Sequence, residues 1–425
     1  MHRLLPVLCL SLLAGLVPGA ELHVGTHQPF ATVTAAIAAA AAGDTVTVHT
    51  GTYHEGGLRV DKSITLQGVD HPVLDGAGKY QVVTVTAPNV AIRGFEIKNS
   101  GVGSLEDFAG IKIADTHHVT VENNHVGNCC FSIYLSKAND CRILGNKVCG
   151  LPGNEQNSGN GIHLWSCERI SVSGNDVRGH RDGIYLEFAT ESVMEDNLVE
   201  NNLRYGLHFM FSHGNAYRRN SFQRNGAGVA VMYSRNVEMT SNLFAHNWGS
   251  ASYGLLLKDM TDGRICDNTF EHNSTGISMH GSNRMTIERN QFSENGWAIQ
   301  IQSSSSDNTF KENNFSGNSF DIAADGELDN NLFHHNYWDK YEGYDLKRDG
   351  IGDVPFRPVS LYAVVVGRVP SSVLLLRSPI VHLLDQAEKA FPAITPERVL
   401  DDKPAIRRHP LPPFLPPSKA RNQKP

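Results

Sequence analysis

The chain repeats itself. Eight segments, running from GIKIADTHHVTVENN through GIYLEFATESVMEDN and GLHFMFSHGNAYRRN to GISMHGSNRMTIERN, each open on a small residue and close on an Asn fourteen positions later. Those closing residues are Asn124, Asn146, Asn175, Asn197, Asn220, Asn242, Asn268 and Asn290, at spacings of 22, 29, 22, 23, 22, 26 and 22. A unit this short has no room for the helix pairs of most repeat proteins and suits one turn of a parallel β-helix. The pattern inside each unit agrees. Apolar residues stand one and three places after the opener, as in Ile184/Leu186, Leu207/Phe209 and Val229/Val231. Period-two alternation of this kind makes short strands with one face inward. A second alternation nine and eleven places on, as in Val237/Met239, predicts a second strand. Gly and Asn tolerate left-handed backbone at the turns, and Asn at matching places in successive coils can form a hydrogen-bonded ladder.

The expected fold is therefore all-β, a right-handed parallel β-helix of about 22-residue coils. The Ala-rich stretch FATVTAAIAAAAAGDTV predicts a capping helix ending at Gly43, and short alternating strands follow it. One elongated domain covers 21–338, its regular coils starting near 110. The longer spacings place edge loops around 151–160 and at Trp248–Ala251. With 39 Gly and only 19% charged residues, the composition fits stacked coils, which need little charged surface. A net charge of −7 without a basic, aromatic-interleaved patch argues against a nucleic-acid partner.

Residues 1–20, with Arg3 ahead of an apolar run and Pro18-Gly19-Ala20 at the end, have the form of a cleaved export sequence. Export permits disulfides, and five of the six remaining cysteines (Cys129, Cys130, Cys141, Cys149, Cys167; Cys266 apart) fall within 39 residues. That clustering suggests local pairing or soft-metal contact, although Cys141 falls at an inward position that suits a plain buried thiol. After the last coil, Asp345, Asp349 and Asp353 around Gly350 resemble a calcium loop, but Lys347 stands where an acid is wanted. A bound calcium ion and a solvated turn both remain open. Residues 361–391 are markedly apolar, with helical spacing over 378–391, and the segment 339–400 reads as a cap or a partner-docking surface. Residues 401–425 carry seven Pro and six Lys/Arg and read as a mobile tail.

The outward positions carry the chemistry. If places one and three after the opener face in, places two and four face out. Coils are about 4.8 Å apart, so His163, Trp165, Glu187, His208, Met210 and Met232 gather on one face. His213 follows in the turn. Thioether with imidazole favours monovalent copper over calcium, magnesium or iron. Met194, Met239, Met279 and Met285, at inward places, are core residues. Two other readings stand beside the metal one. β-Helices also serve as polysaccharide lyases and epimerases, but this face lacks paired acids at glycosidase spacing. A scaffold that binds only proteins would use the same surfaces without an ion.

The stretches DGIYLEFA (182–189), NLRYGLHFMFS (202–212), GAGVAVMYS (226–234) and NYWDKYEGYDLKRDGIGDVPFRPVSLYAVVV (336–366) resemble NosD, a nitrous oxide reductase maturation family of periplasmic, copper-associated β-helix proteins. The resemblance runs to about residue 409. It implies a non-catalytic periplasmic accessory protein that partners the membrane subunit of an ABC transporter and, through it, a cytoplasmic ATPase. It further implies copper, as Cu(I), taken from a donor chaperone and supplied to nitrous oxide reductase. His208, Met210 and Met232 lie inside the family's stretches, and 360–391 is the segment expected to dock on the transporter.

Overall fold

The structure, a computed structural model, describes residues 19–103, 106–150, 158–249, 251–328, 330–391, 399–414 and 416. The expected export sequence, apart from its last two residues, lies outside the described residues, as does most of the 151–160 loop. The chain is an all-β parallel β-helix of about 13 turns with coils of about 23 residues. Three strands build a complete coil, for example Tyr205–Met210, Ala216–Arg218 and Ser221–Gln223. Among the described residues they stack into sheets of 14, 12 and 13 strands. Register advances by one coil at each step, so Ile184 faces Leu207, which faces Val229.

The third strand is absent from the two-strand reading of the repeat. It begins just after the closing Asn and sends a single residue inward, too short for an alternation to show. That residue sets the width of the core. Phe222, Phe244, Phe270, Phe292, Phe315 and Trp338 stack coil upon coil with ring centroids 4.1 to 5.6 Å apart, all essentially excluded from solvent. Offset stacks of this kind add about 0.5–1.5 kcal/mol per pair beyond the area they bury.

Polar continuity comes from asparagine. From Asn124 to Asn336, ten buried side chains form one ladder, each Nδ2 donating to the next Oδ1 at 2.9–3.1 Å. Each Oδ1 also accepts the backbone N–H of the preceding Asn, as Asn220 Oδ1 does from Asn197. Buried amides satisfied this way cost little and lock the register. A second ladder runs Asn202, Asn225, Asn247, Asn273, Asn295, Asn318. Both end on a buried acid. Asn318 donates to Asp321 Oδ1 at 3.3 Å, and Asn336 donates to Asp401 Oδ2 at 3.1 Å.

Many corners carry neither Gly nor Asn. Arg219, Ser241, Asp267 and Arg289 take positive φ of 51° to 57° immediately before a ladder Asn. Their N–H groups donate to the neighbouring coil, Arg219 to Thr240 O and Arg289 to Lys311 O, which helps offset the steric cost of that backbone.

The N-terminal cap is α1 (Val33–Ala39), shorter than expected: Ala40 caps it and Gly43 lies beyond. Glu55 accepts from the N–H groups of Val33 and Thr34, and Lys62 Nζ takes the carbonyls of Ile37, Ala38 and Ala40. Each charge sits at the helix end whose dipole it complements. At the other end are α2 (Leu361–Arg368), a 3-10 turn (Pro370–Leu375) and α3 (Pro379–Ala390). Tyr362 and Val381 pack on Phe320 of the last coils. Leu374, Ile380, Leu383 and Phe391 stay exposed.

Residues 401–409, expected in a free tail, are tied down instead. Asp401 is wholly buried and accepts from Asn336 N, Asn336 Nδ2 and Trp338 Nε1. His409 N and O pair with the Asn314 amide. Prolines made this segment look uncommitted; the open edge of the last coil gives it partners.

The cysteines are neither paired nor gathered: the six described ones are free thiols. Burial pushes Cys129 and Cys141 up to about 11 and Cys167 up to about 12, so they are inert core thiols.

Candidate metal centre

The 12-stranded sheet carries the site. Its register sets Tyr134, His163, Tyr185, His208 and Ala230 in one outward column, and Trp165, Glu187, Met210, Met232 and Lys258 in another. Met210 and Met232 are therefore direct neighbours on adjacent coils, with His208 two residues from Met210 on the same face.

These positions point outward but are not open. His163 and His208 are only 9% and 6% exposed, while Met210, Met232 and Glu187 are half-buried. The neighbouring rings cover them. Tyr134, His163, Tyr185 and His208 follow one another at centroid separations of 4.6, 4.8 and 5.0 Å, with Phe131 and Tyr205 closing the ends. A column of small residues would leave the face flat; aromatic rungs build walls around the imidazoles.

Electrostatics separate the two histidines. Burial, aided by Arg181, pushes His163 down to about 3, so the ring is neutral. His208 Nδ1 lies 3.5 Å from Asp182 Oδ2, a carboxylate with no solvent exposure that Arg204 grips through Nε (2.9 Å) and Nη2 (2.5 Å). Burial alone would raise the Asp182 carboxyl, yet the His208 and Arg204 groups beside it hold it below the usual carboxylate range. Both imidazoles keep a buried Nε2 with no hydrogen-bond partner. An orphaned buried nitrogen beside thioether sulfur is the donor chemistry a soft ion needs. The Tyr185 hydroxyl reaches to 4.0 Å from Met210 Sδ, and burial with nearby Glu187 pushes that phenol up to about 12.

The expected ligands thus divide. His208, Met210 and Met232 share one face of adjacent coils, with Glu187 beside Met210 on the preceding coil. His163 is two coils from His208, roughly 10 Å away at sheet spacing, with Tyr185 between them. One ion cannot take both directly. His213 lies past the corner formed by Phe211 and the buried Ser212 and does not join the strip; its Nδ1 is buried and unpartnered.

The calcium expectation finds no support in the loop. Asp345 accepts from Asp349 N and Gly350 N, Asp349 from Ile351 N, and Asp353 from Leu346 N while pairing with Lys347 at 3.3 Å. The carboxylates are spent on the loop's own N–H groups and do not converge. Among the described residues no cluster of three His, Cys, Asp or Glu could hold an ion.

Sequence reasoning missed the border of the strip. Phe188, Phe211 and Tyr233, each directly after an outward residue, stack at 5.4 and 5.1 Å, stay 37–49% exposed, and hold φ of 50° to 54°. Lys137 lies over Trp165 and Lys258 over Tyr233. The signal was available: three bulky residues occupy a column whose other members are Asp115, Lys137, Ser166, Asp259 and Gly281.

This architecture defines a class: a parallel β-helix carrying an outward strip of His and Met walled by aromatic rings, with a small helical appendage at its C-terminal end. The particular kinship follows from comparison. The family model described as "Periplasmic copper-binding protein (NosD)" matches residues 149–343, so this stretch is similar to that family. It is 29% identical over 380 residues to a probable ABC transporter binding protein NosD of Pseudomonas aeruginosa, covering 83% of this chain and 86% of that protein. It is 27% identical over 377 residues to the protein of the same name from Stutzerimonas stutzeri, covering 83% and 85%. Among solved structures, PfbA, a surface adhesin of Streptococcus pneumoniae, matches with a TM-score of 0.52 at 12% identity, over 68% of this chain and 82% of that one. That last likeness is one of fold alone. No described helix is long and apolar enough to cross a membrane.

Proposed function

We propose that this protein is a periplasmic accessory that receives copper as Cu(I) at His208, Met210 and Met232 and passes it on for assembly of nitrous oxide reductase. Copper here is cargo, so the site must release as well as bind. The observation that carries the reading is the register pairing of Met210 with Met232 beside the orphaned Nε2 of His208. Two thioethers and one imidazole give a neutral donor set. It offers a monovalent soft ion good partners without the closed, charged cage of a structural site. Half-burial leaves the sulfurs reachable by a donor chaperone or an acceptor. The exposed apolar residues of α3 and the preceding turn suit docking on the membrane subunit of an ABC transporter, in keeping with relatives named as probable ABC transporter binding proteins.

The test is an anaerobic Cu(I) titration of the exported form against a competing chelator, with Met210→Ala/Met232→Ala alongside. One tightly held ion per chain, weakened at least about tenfold in the double variant (about 1.4 kcal/mol), is expected. Equal affinity in both proteins would discard these ligands, and no binding by either would leave a scaffold.

A further inference from the structure

The strip contains two buried imidazoles in one column, and their surroundings are opposite. His163 Nδ1 faces Asn160 Nδ2 at 3.2 Å, while Asn160 Oδ1 accepts from Arg181 Nη2 at 3.2 Å. Because Arg181 occupies the oxygen, the amide presents N–H to the ring. His163 Nδ1 must therefore accept, and the proton of the neutral ring sits on Nε2. A nitrogen that carries its proton has no lone pair for a metal.

His208 has a choice. Its Nδ1 stands 3.5 Å from the Arg204 guanidinium, a donor, and 3.5 Å from the Asp182 carboxylate, an acceptor. Without an ion either partner will serve. An ion at Nε2 removes the choice, since the ring proton must then sit on Nδ1, where only a carboxylate can receive it. Asp182 is built for that task. It has no solvent exposure, its orientation is fixed by the two Arg204 contacts, and it belongs to the coil preceding His208.

We propose that Asp182 is the positioning residue that makes His208, rather than His163, the imidazole ligand of the strip. Arg204 holds the carboxylate, the carboxylate accepts the hydrogen bond of Nδ1–H, and Nε2 is left to donate its lone pair. This arrangement raises ligand basicity, and losing such a partner costs 10–100-fold in metal affinity. The inference rests on the proposed soft-metal role of the strip.

The experiment uses Ag(I), a redox-inert monovalent soft ion, and the exported protein labelled with 15N in histidine. Long-range 1H–15N spectra report which ring nitrogen carries the proton. On adding Ag(I), His208 is expected to show a protonated Nδ1 and a metal-shifted Nε2, while His163 keeps its proton on Nε2 throughout. Asp182→Asn, near-isosteric, is expected to weaken Ag(I) binding at least about tenfold with unchanged circular dichroism. Asp182→Glu is expected to recover part of the loss. If Asp182→Asn binds as tightly as the parent while Met210→Ala/Met232→Ala does not, the role of Asp182 is overturned and the strip survives. A metal-shifted His163 in place of His208 also overturns it. If the parent protein binds no Ag(I), the reading of the strip itself fails.

Discussion

Asp401 closes the long asparagine ladder, and removing its carboxylate is the most direct test of how the solenoid is held shut. The side chain is wholly buried, and Oδ2 accepts from Asn336 N (3.1 Å), Asn336 Nδ2 (3.1 Å) and Trp338 Nε1 (3.0 Å). Its other oxygen accepts from Lys403 N at 3.1 Å. Asp401→Ala strands three buried donors, each costing about 1–2 kcal/mol when unmet, for a total of about 3–6 kcal/mol. Asp401→Asn keeps one acceptor oxygen and is expected to cost less than half as much. A solenoid loses structure from its ends, so the damage should concentrate there. In hydrogen exchange, the amides of Leu332–His334 and Tyr337–Trp338 should lose protection while those of Tyr205–Met210 keep theirs. If Asp401→Ala stays within about 1 kcal/mol of the parent in urea, with last-coil protection intact, the cap argument is wrong.

Two further outcomes follow, the first from His163 and from His180, a buried ring whose Nε2 lies 3.1 Å from Ser132 Oγ. Burial holds His163 near 3 and His180 near 4, below the unfolded imidazole value of about 6.5. The unfolded chain therefore binds protons that the folded one refuses, and stability falls as pH drops through about 6.5 towards those values. At pH 5 each ring removes about 2 kcal/mol (1.5 pH units at 1.36 kcal/mol per unit). Denaturant midpoints at pH 7 and 5 should differ less in His180→Asn than in the parent; an equal pH loss would contradict the assignment. The second concerns Phe188, Phe211 and Tyr233. Left-handed backbone costs each about 1–2 kcal/mol, and stacking returns about 0.5–1.5 per pair. Replacing all three with Asn should therefore hold or raise the thermal midpoint, whereas a fall of more than about 8 °C would show that the aromatics are there for stability.

The repeat made much of this legible. Fixed spacing from opener to Asn gave the coil, the inward and outward columns and the ladder, because each depends only on local periodicity. Met210 beside Met232, and Met194, Met239, Met279 and Met285 inside, followed from the same count, and the structure buries those four. The third strand was not legible, since a strand that sends one residue inward has no alternation to detect. Nor was the burial of the outward column, which depends on the size of neighbouring rings such as Tyr185 rather than on position. The Asp345 loop looked like a cation site because spacing records where carboxylates are, not which N–H groups they already hold. Proline-rich composition likewise hid the docking of Asp401 and His409, which is decided by a coil edge more than sixty residues earlier in the chain.

Both ladders run in one direction, each Asn lending a backbone or side-chain N–H to the Asn Oδ1 of the following coil, and both finish on an aspartate. An asparagine at 321 or 401 would accept that proton and offer another, leaving a donor edge onto which the first coil of a second molecule could add. A carboxylate accepts and offers nothing. In a fold whose coils are near copies, head-to-tail stacking into an open fibre is the standing hazard. Ending the ladders on Asp321 and Asp401 offers no such donor, and variants that neutralise them are to be checked for filaments as well as for lost stability.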